Sequence, residues 1–529
     1  MRLPAELVIH IVVEVIAPTP PAYAASSSNL DSQHPLLPDT TFGTVKLLHD
    51  VEQRPCYVKP EFERLRLVCR SWNNIIVSDA RLWTYISMIR KQDIPWARRA
   101  AERSKGLPVS LVMGGVSIKK EISRRTWMEA AQEMIKSLLD RTFHLVLSLD
   151  WDDLSLALGT WASCRAPCLR SLLIYMSDGF ARSFGQLPPF FSWDMPQLES
   201  LAIHAPAMIW SYPSPFPLAQ LKQLRIEVNS DVGQAVEHTL VASERLADLA
   251  LNIDDVELTS NGLLRKHRLR SVYLCSPFSK LRLDLAETRK ISSSIVMLDL
   301  RCMICPRDGK NELLLEFLGS LPLLEVLQVK TVALEADKNN QWPITPRKMK
   351  GLHRLRKLSL QTNGLLPFML LWSFDLENMD HLTIDQTGHW PIRLQLDEEN
   401  IPSLPRFPCL TKLEVVALLS PRSVLLFLHK TPSLRIFKFQ APMSANKEFI
   451  QELSQLEAGR NQDQVLCPSL EVIKITLNSK DPEFMRAYKQ FLCARHHRWR
   501  QGGCVKICFQ RIDSVVGSKL RHAQIPHPR

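Results

Sequence analysis

No run of 18 apolar residues free of charge occurs in this 529-residue chain, so the sequence offers no helix that would span a membrane. It has no Asn-x-Ser/Thr acceptor, and its 12 cysteines are too sparse for a small disulfide scaffold. Both features favour a reducing compartment, the cytoplasm and/or the nucleus. The sequence also lacks a G-x-x-x-x-G-K-[ST] phosphate loop, an H-E-x-x-H pair and a G-x-S-x-G turn, the usual local marks of phosphoryl transfer and hydrolysis. A non-catalytic protein without a cofactor is therefore expected. The net charge of +12 is about two surplus positive charges per hundred residues, too dilute for a dedicated nucleic-acid binder.

What is present is an ordinary globular composition, 45% hydrophobic and 23% charged. A single core stops growing near roughly 250 to 300 residues, so the chain must hold several domains or a repeat whose core lengthens in one direction. The start has the outline of a secretory leader: Arg2, an apolar stretch from Leu7 to Ile16, then Ala22, Tyr23, Ala24 and Ala25. Glu6, His10 and Glu14 oppose that reading. They form a polar stripe at helical spacing opposite Leu7, Ile11 and Val15, which describes an amphipathic helix.

Residues 17–60 are rich in proline and serine and read as an insert. Helical spacing returns at Leu65, Val68, Trp72, Ile75 and Ile76, and a further small helix is expected around Leu82, Trp83 and Ile86. Residues 91–140 are expected to connect this region to the rest.

Beyond residue 141 one unit recurs: L-x-x-L-x-L, with other apolar residues allowed at the three leucine sites. Its twelve copies begin at Leu169, Leu198, Leu221, Leu246, Leu269, Ile295, Leu324, Leu355, Met379, Leu410, Leu434 and Leu470. Successive starts lie 23 to 36 residues apart and average about 27, inside the roughly 20 to 29 window of leucine-rich repeats. The alternation within each unit makes a strand, and stacked units make a parallel sheet over 141–510, with a basic tail at 511–529. Between strands, Leu313 to Leu318 and Val424 to Leu428 are rich in helix formers and should form outer helices. The competing reading is a set of unrelated α/β domains.

The order Leu3-Pro4-Ala5-Glu6-Leu7, Ile11, then Leu67-Val68-Cys69-Arg70-Ser71-Trp72 and Leu82-Trp83-Thr84-Tyr85-Ile86 resembles an F-box. Pro4 suits a first helical turn, and a short helical cluster with protruding Leu, Pro and Trp groups is a docking surface for another protein's helices. The resemblance places a small F-box-like helical domain at 1–90, ahead of an α/β leucine-rich-repeat solenoid with outer helices. Divergent F-box proteins with C-terminal leucine-rich repeats, numerous in fungi, share this arrangement. It implies that Leu3, Pro4, Leu7 and Ile11 form one half of the contact with a Skp adaptor. Leu67, Val68, Trp72 and Trp83 would form the other half or its internal support. It further implies a cullin scaffold and a protein target held by the repeats for ubiquitination. The alternative is a repeat scaffold with no ubiquitin link.

Target contacts are expected from strand residues flanking the second and third apolar sites, on the concave face. Early repeats place Tyr175, His204, Arg225, Glu227, Tyr273, Asp299 and Arg301 there. Later ones place Lys330, Lys357, Lys412, Lys438 and Lys474 against Asp385 and Glu414, a net basic lining suited to an acidic or phosphorylated segment. Cys302-x-x-Cys305 and the group Cys493, His496, His497, Cys504 and Cys508 do not make a four-ligand set at accepted spacing, so no metal is expected. Cys168, Cys409 and Cys467, just before first apolar sites, read as small buried residues. The basic clusters at 265–268, 348–357 and 495–500 read as solvated faces, and no nucleic-acid partner is expected.

Overall fold

The computed structural model describes residues 64–114, 121–161, 163–176, 195–205, 218–228, 240, 242–253, 257–259, 268–276, 280–283, 294–306, 312–331, 349, 351–362, 366–385, 406–416, 421–440, 448–453, 467–477, 486, 489–490 and 506–511. Leu3, Pro4, Leu7 and Ile11, the 17–60 insert, the 493–504 part of the Cys/His group and the tail beyond Arg511 lie outside the described residues. The chain divides into two compact units, Met1–Leu246 and Ala247–Arg529.

In the first unit a helical turn at 64–68 breaks at Cys69, and α1 (Arg70–Ser78) begins. Cys69 is extended, with φ −164°, and its sulfur accepts from the Trp72 backbone N–H, so it caps α1 rather than continuing one helix from Leu65 to Ile76. The segment around Leu82, expected to be helical, is a 3-10 turn (Ala80–Trp83) that leads directly into strand β1 (Tyr85–Met88). Then follow α2 (Ile94–Arg103), β2 (Val109–Gly114), α3 (Glu121–Leu138), β3 (Thr142–Leu149), α4 (Trp151–Trp161), β4 (Ser171–Met176), β5 (Ser200–His204) and β6 (Gln223–Val228). These six strands pair in sequence order, all parallel.

Among the described residues the sheet thus starts at residue 85, and the 91–140 segment, expected to be a connector, contributes strand β2 to it. Its anchors escape a search for leucine because other residues hold the first apolar site. Trp83 holds it ahead of β1, 1% exposed. Thr142 holds it in β3, fully buried, its hydroxyl donating to the Leu138 carbonyl at 2.7 Å. In β2 the register shifts between Val109 and Ser110, so Val109 pairs with Thr142 and reaches the anchor site with one residue fewer.

The second unit holds β7 (Asp248–Ile253), β8 (Glu257–Thr259), β9 (Ser271–Leu274), β10 (Lys280–Leu283), β11 (Met297–Leu300), β12 (Met303–Pro306), α5 (Glu312–Gly319) and β13 (Val326–Thr331). It continues with β14 (Lys357–Thr362), α6 (Leu366–Ser373), β15 (His381–Asp385), β16 (Lys412–Val416), α7 (Pro421–Leu428), β17 (Ile436–Gln440), β18 (Val472–Leu477) and β19 (Lys506–Arg511). β7, β9, β11 and β13 through β19 form one parallel sheet in that order. The outer helices expected at Leu313–Leu318 and Val424–Leu428 are present as α5 and α7. Between β7 and β13, however, the outer side carries a small parallel sheet of β8, β10 and β12, with Leu281 and Ile304 fully buried. The fold is an α/β leucine-rich-repeat solenoid.

All twelve expected units hold a strand, and within each compact unit these strands pair in register. Their first and second apolar residues are buried, as are the third through Phe439. Each such side chain contributes about 1.5–3 kcal/mol by leaving water. Gly351, at φ 127°, passes so close to α5 that a Cβ would stand 2.7 Å from the Gly319 carbonyl oxygen.

Trp83 ties α1 to the first repeat. Its Nε1 donates to the Ile76 carbonyl at 2.7 Å, its ring lies 5.0 Å from that of Trp96, and the Arg103 guanidinium sits 4.4 Å from its centre. We expect Trp83→Ala to destabilise the chain by about 3–5 kcal/mol, read as a lower denaturation midpoint in urea. A midpoint equal to that of wild type would contradict this account of Trp83.

Candidate functional site

The helical segment presents apolar groups to solvent. Leu67 is 84% and Val68 59% exposed, adjacent on the turn before α1, and Leu156 on α4 is the other large apolar side chain exposed among the described residues. Trp72 is half-buried, whereas Trp83 is sealed in the core. Cys69 is exposed beside them.

On the sheet face of the first unit opposite the buried apolar row, Tyr175, His204 and Glu227 are direct neighbours on β4, β5 and β6. Tyr175 and His204 stack with ring centres 4.6 Å apart and planes 7° apart, and His204 Nδ1 lies 3.0 Å from Glu227 Oε2. Arg225 is half-buried on the same face of β6. His144, on β3, is held below the usual imidazole range by desolvation and then by the nearby Arg170 charge.

In the second unit, Tyr273, Asp299 and Gln328 are cross-strand neighbours. Asp299 is 1% exposed, yet its carboxylate is held in a two-pronged pair by Arg301, with Nε 3.1 Å from Oδ1 and a terminal nitrogen 3.0 Å from Oδ2. The guanidinium also covers the Tyr273 ring at 5.0 Å. Tyr273 and Arg301, expected as target contacts, are therefore committed to an internal knot, and Tyr273 is nearly buried.

Further along, Lys357, His381 and Lys412 stand side by side on β14, β15 and β16. Ser359, Thr383, Glu414, Lys438 and Lys474 form the next row. Lys438 Nζ pairs with Glu414 Oε1 at 2.8 Å. His381 is pushed down to about 4 by burial and then by Lys412, Lys357 and Lys438, and Thr383 Oγ1 lies 3.3 Å from its Nε2. Burial also lowers Lys357, against the opposing pull of Asp380. Lys330 is exposed on β13. His381 was missing from the expected lining although its position, just before a second apolar site, is the one Lys357 and Lys412 occupy.

Cys302 is buried at the start of β12, and among the described residues no cluster of three or more His, Cys, Asp or Glu could hold a metal. Cys467 is buried, its thiol donating to the Leu428 carbonyl at 3.3 Å, but Cys168 is half-buried and Cys409 exposed, so only one of the three is the small core residue expected. No described helix is long and apolar enough to cross a membrane.

No family model and no curated protein matches the chain. Among solved structures, one described as the Rad7 and Elc1 complex in yeast aligns at 14% identity and a TM-score of 0.29, covering 83% of this chain and 94% of that one. A likeness of that degree carries no functional meaning.

Two outcomes follow from these geometries. Unfolded, His381 would take its proton near 6.5; folded, it resists protonation to about 4, so its contribution to stability is complete above pH 6.5 and is lost as the pH falls toward 4. The drop in melting temperature over that window should shrink in His381→Gln, and an equal drop in both proteins would count against it. Arg301→Ala leaves the Asp299 charge buried without its fork and should cost about 3–5 kcal/mol in urea denaturation. A cost under about 1 kcal/mol, the range of exposed pairs, would mean the pair is solvated.

Proposed function

We propose that this protein is a non-catalytic target-recognition subunit of a Skp, cullin and F-box type ubiquitin ligase. In this reading the helical segment before β1 binds the Skp adaptor and the repeats hold the target. The observation that carries it is the adjacent exposed pair Leu67 and Val68, at positions where the F-box resemblance expects adaptor contacts. Apolar side chains so exposed contribute nothing to the chain's own core, and they suit burial under a partner's helices. Tyr175, His204, Arg225 and the lysine rows supply the polar and aromatic lining expected of a target-binding face. Holding a target near the transferring enzyme raises its effective concentration, so this subunit needs no nucleophile of its own.

Co-purification of the full chain with the Skp adaptor tests the reading. Changing Leu67 and Val68 together to Asp should weaken capture at least about tenfold while leaving the fold intact, because exposed positions tolerate charge. Changing Leu7 and Ile11 to Asp should do the same from the other half of the resemblance. Wild-type chain that captures no adaptor, or a Leu67/Val68 variant that captures it undiminished, would leave a repeat scaffold without a ubiquitin link.

A further inference from the structure

We propose that the face of β2–β5 opposite the buried leucines is the docking site for an uncharged, apolar peptide segment of the target, laid across the strands over Val146, Leu173 and Ala202. The inference rests on the proposed reading that the repeats hold the target. It does not depend on the adaptor contact.

The first argument is the middle row of that face. Val112 pairs with Val146, Val146 with Leu173, and Leu173 with Ala202, so four successive strands put an apolar side chain between their second and third core residues. Val112 is 5% exposed, and Val146, Leu173 and Ala202 are half-buried. From β13 to β17 the same position holds Gln328, Ser359, Thr383, Glu414 and Lys438. A row that is turned away from the core yet stays apolar on four strands running gains by being covered. It is about 14 Å long, the reach of roughly four residues of extended peptide.

The second argument is charge. Of the three face positions on each of β2, β3, β4 and β5, none holds Asp, Glu, Lys or Arg. Charge begins on β6, where Arg225 and Glu227 stand beside Ala202 and His204. His144, held below the usual imidazole range, favours its neutral form at pH 7. A charged segment laid over these four strands would give up water and find no counter-ion on them, whereas an uncharged apolar one gives up nothing it needs.

The third argument is the hydroxyls that border the apolar row. Ser110, Ser171 and Ser200 stand on one side of it, on β2, β4 and β5. On the other stands Ser148, 5% exposed, whose Oγ has no hydrogen-bond partner among the described residues. A closed-in hydroxyl without a partner is costly, and a serine can turn among its staggered positions to meet an arriving group. Hydroxyls both donate and accept, so serines on both borders match the main-chain N–H and C=O groups of a peptide. An acyl chain would leave them unmet. This favours a peptide over a lipid tail.

The test is retention on the immobilised full chain of a degenerate library of short peptides with both ends blocked, followed by sequencing of the retained pool. We expect runs of Leu, Ile, Val, Met or Phe without charged residues to be enriched on the order of tenfold, equally at low and high salt, and the enrichment to be lost in Leu173→Asp. Should that variant fail to fold, Ala202→Gln raises the floor without opening the core and should reduce the enrichment several-fold. Ser148→Ala should melt no lower than wild type, because it deletes a hydroxyl that has no partner, and yet retain the peptides several-fold less. A retained pool rich in charged residues, enrichment that fades steeply with salt, or undiminished enrichment by the folded variants would each overturn the proposal. So would displacement of the peptides by dodecyl alcohol at lower concentration than by the enriched peptides themselves. Skp adaptor capture measured on the same preparations separates the two ideas. Its absence beside intact peptide selection removes the ligase reading alone, and its presence beside absent selection removes only this docking site.

Discussion

Lateral pairing of parallel strands, each with its apolar residues turned to the same side, is the constraint on which the rest of this protein depends. A single strand-and-helix unit cannot bury its own leucines; it needs a neighbour's backbone beside it and a neighbour's side chains beneath. The buried row Leu358, Leu382 and Leu413 is built in this way, one residue from each successive strand. Once that row is fixed, the alternate residues are fixed too. Lys357, His381 and Lys412 must then stand in line on the opposite face. The chemistry of the face is thus a by-product of the register of the core.

This explains how much of the fold could be read from the sequence. The twelve units from Leu169 onward were legible because their anchor sites hold Leu, Ile, Met, Val or Phe at constant internal spacing. Three earlier strands were hidden for three different physical reasons. Trp83 fills its anchor site with a ring instead of an aliphatic group, and Thr142 satisfies the same site by donating its hydroxyl to a helix carbonyl. Val109 reaches it across a register shift. The outer strands at Leu281 and Ile304 were hidden because a short apolar run reads equally well as strand or helix until its neighbours are known.

Candidate contact residues were legible as positions but not as roles. Sequence spacing put Tyr273 and Arg301 on the concave face as target contacts. It could not reveal that Asp299, also on that face, draws the guanidinium down over the Tyr273 ring. His381 shows the reverse: its position was readable from the repeat, but its unusual acidity arises from burial in the folded sheet and then from the lysines that neighbouring strands bring beside it. The break at Cys69 was likewise invisible, because a thiol is a weak cap and leaves little trace in the residue pattern.

Trp83 is the third turn of one segment's story and the first residue of another's: its indole nitrogen holds the last part of α1 while its ring supplies the anchor of β1. Only Asp79 to Thr84 separate helix from strand, and Asp79 caps the intervening turn through the Arg81 backbone N–H at 3.0 Å. Swivelling between α1 and β1 would therefore require pulling a tryptophan out of its seat. Whatever grips the exposed residues before α1 would hold the first repeats at a set angle, as a handle holds a blade.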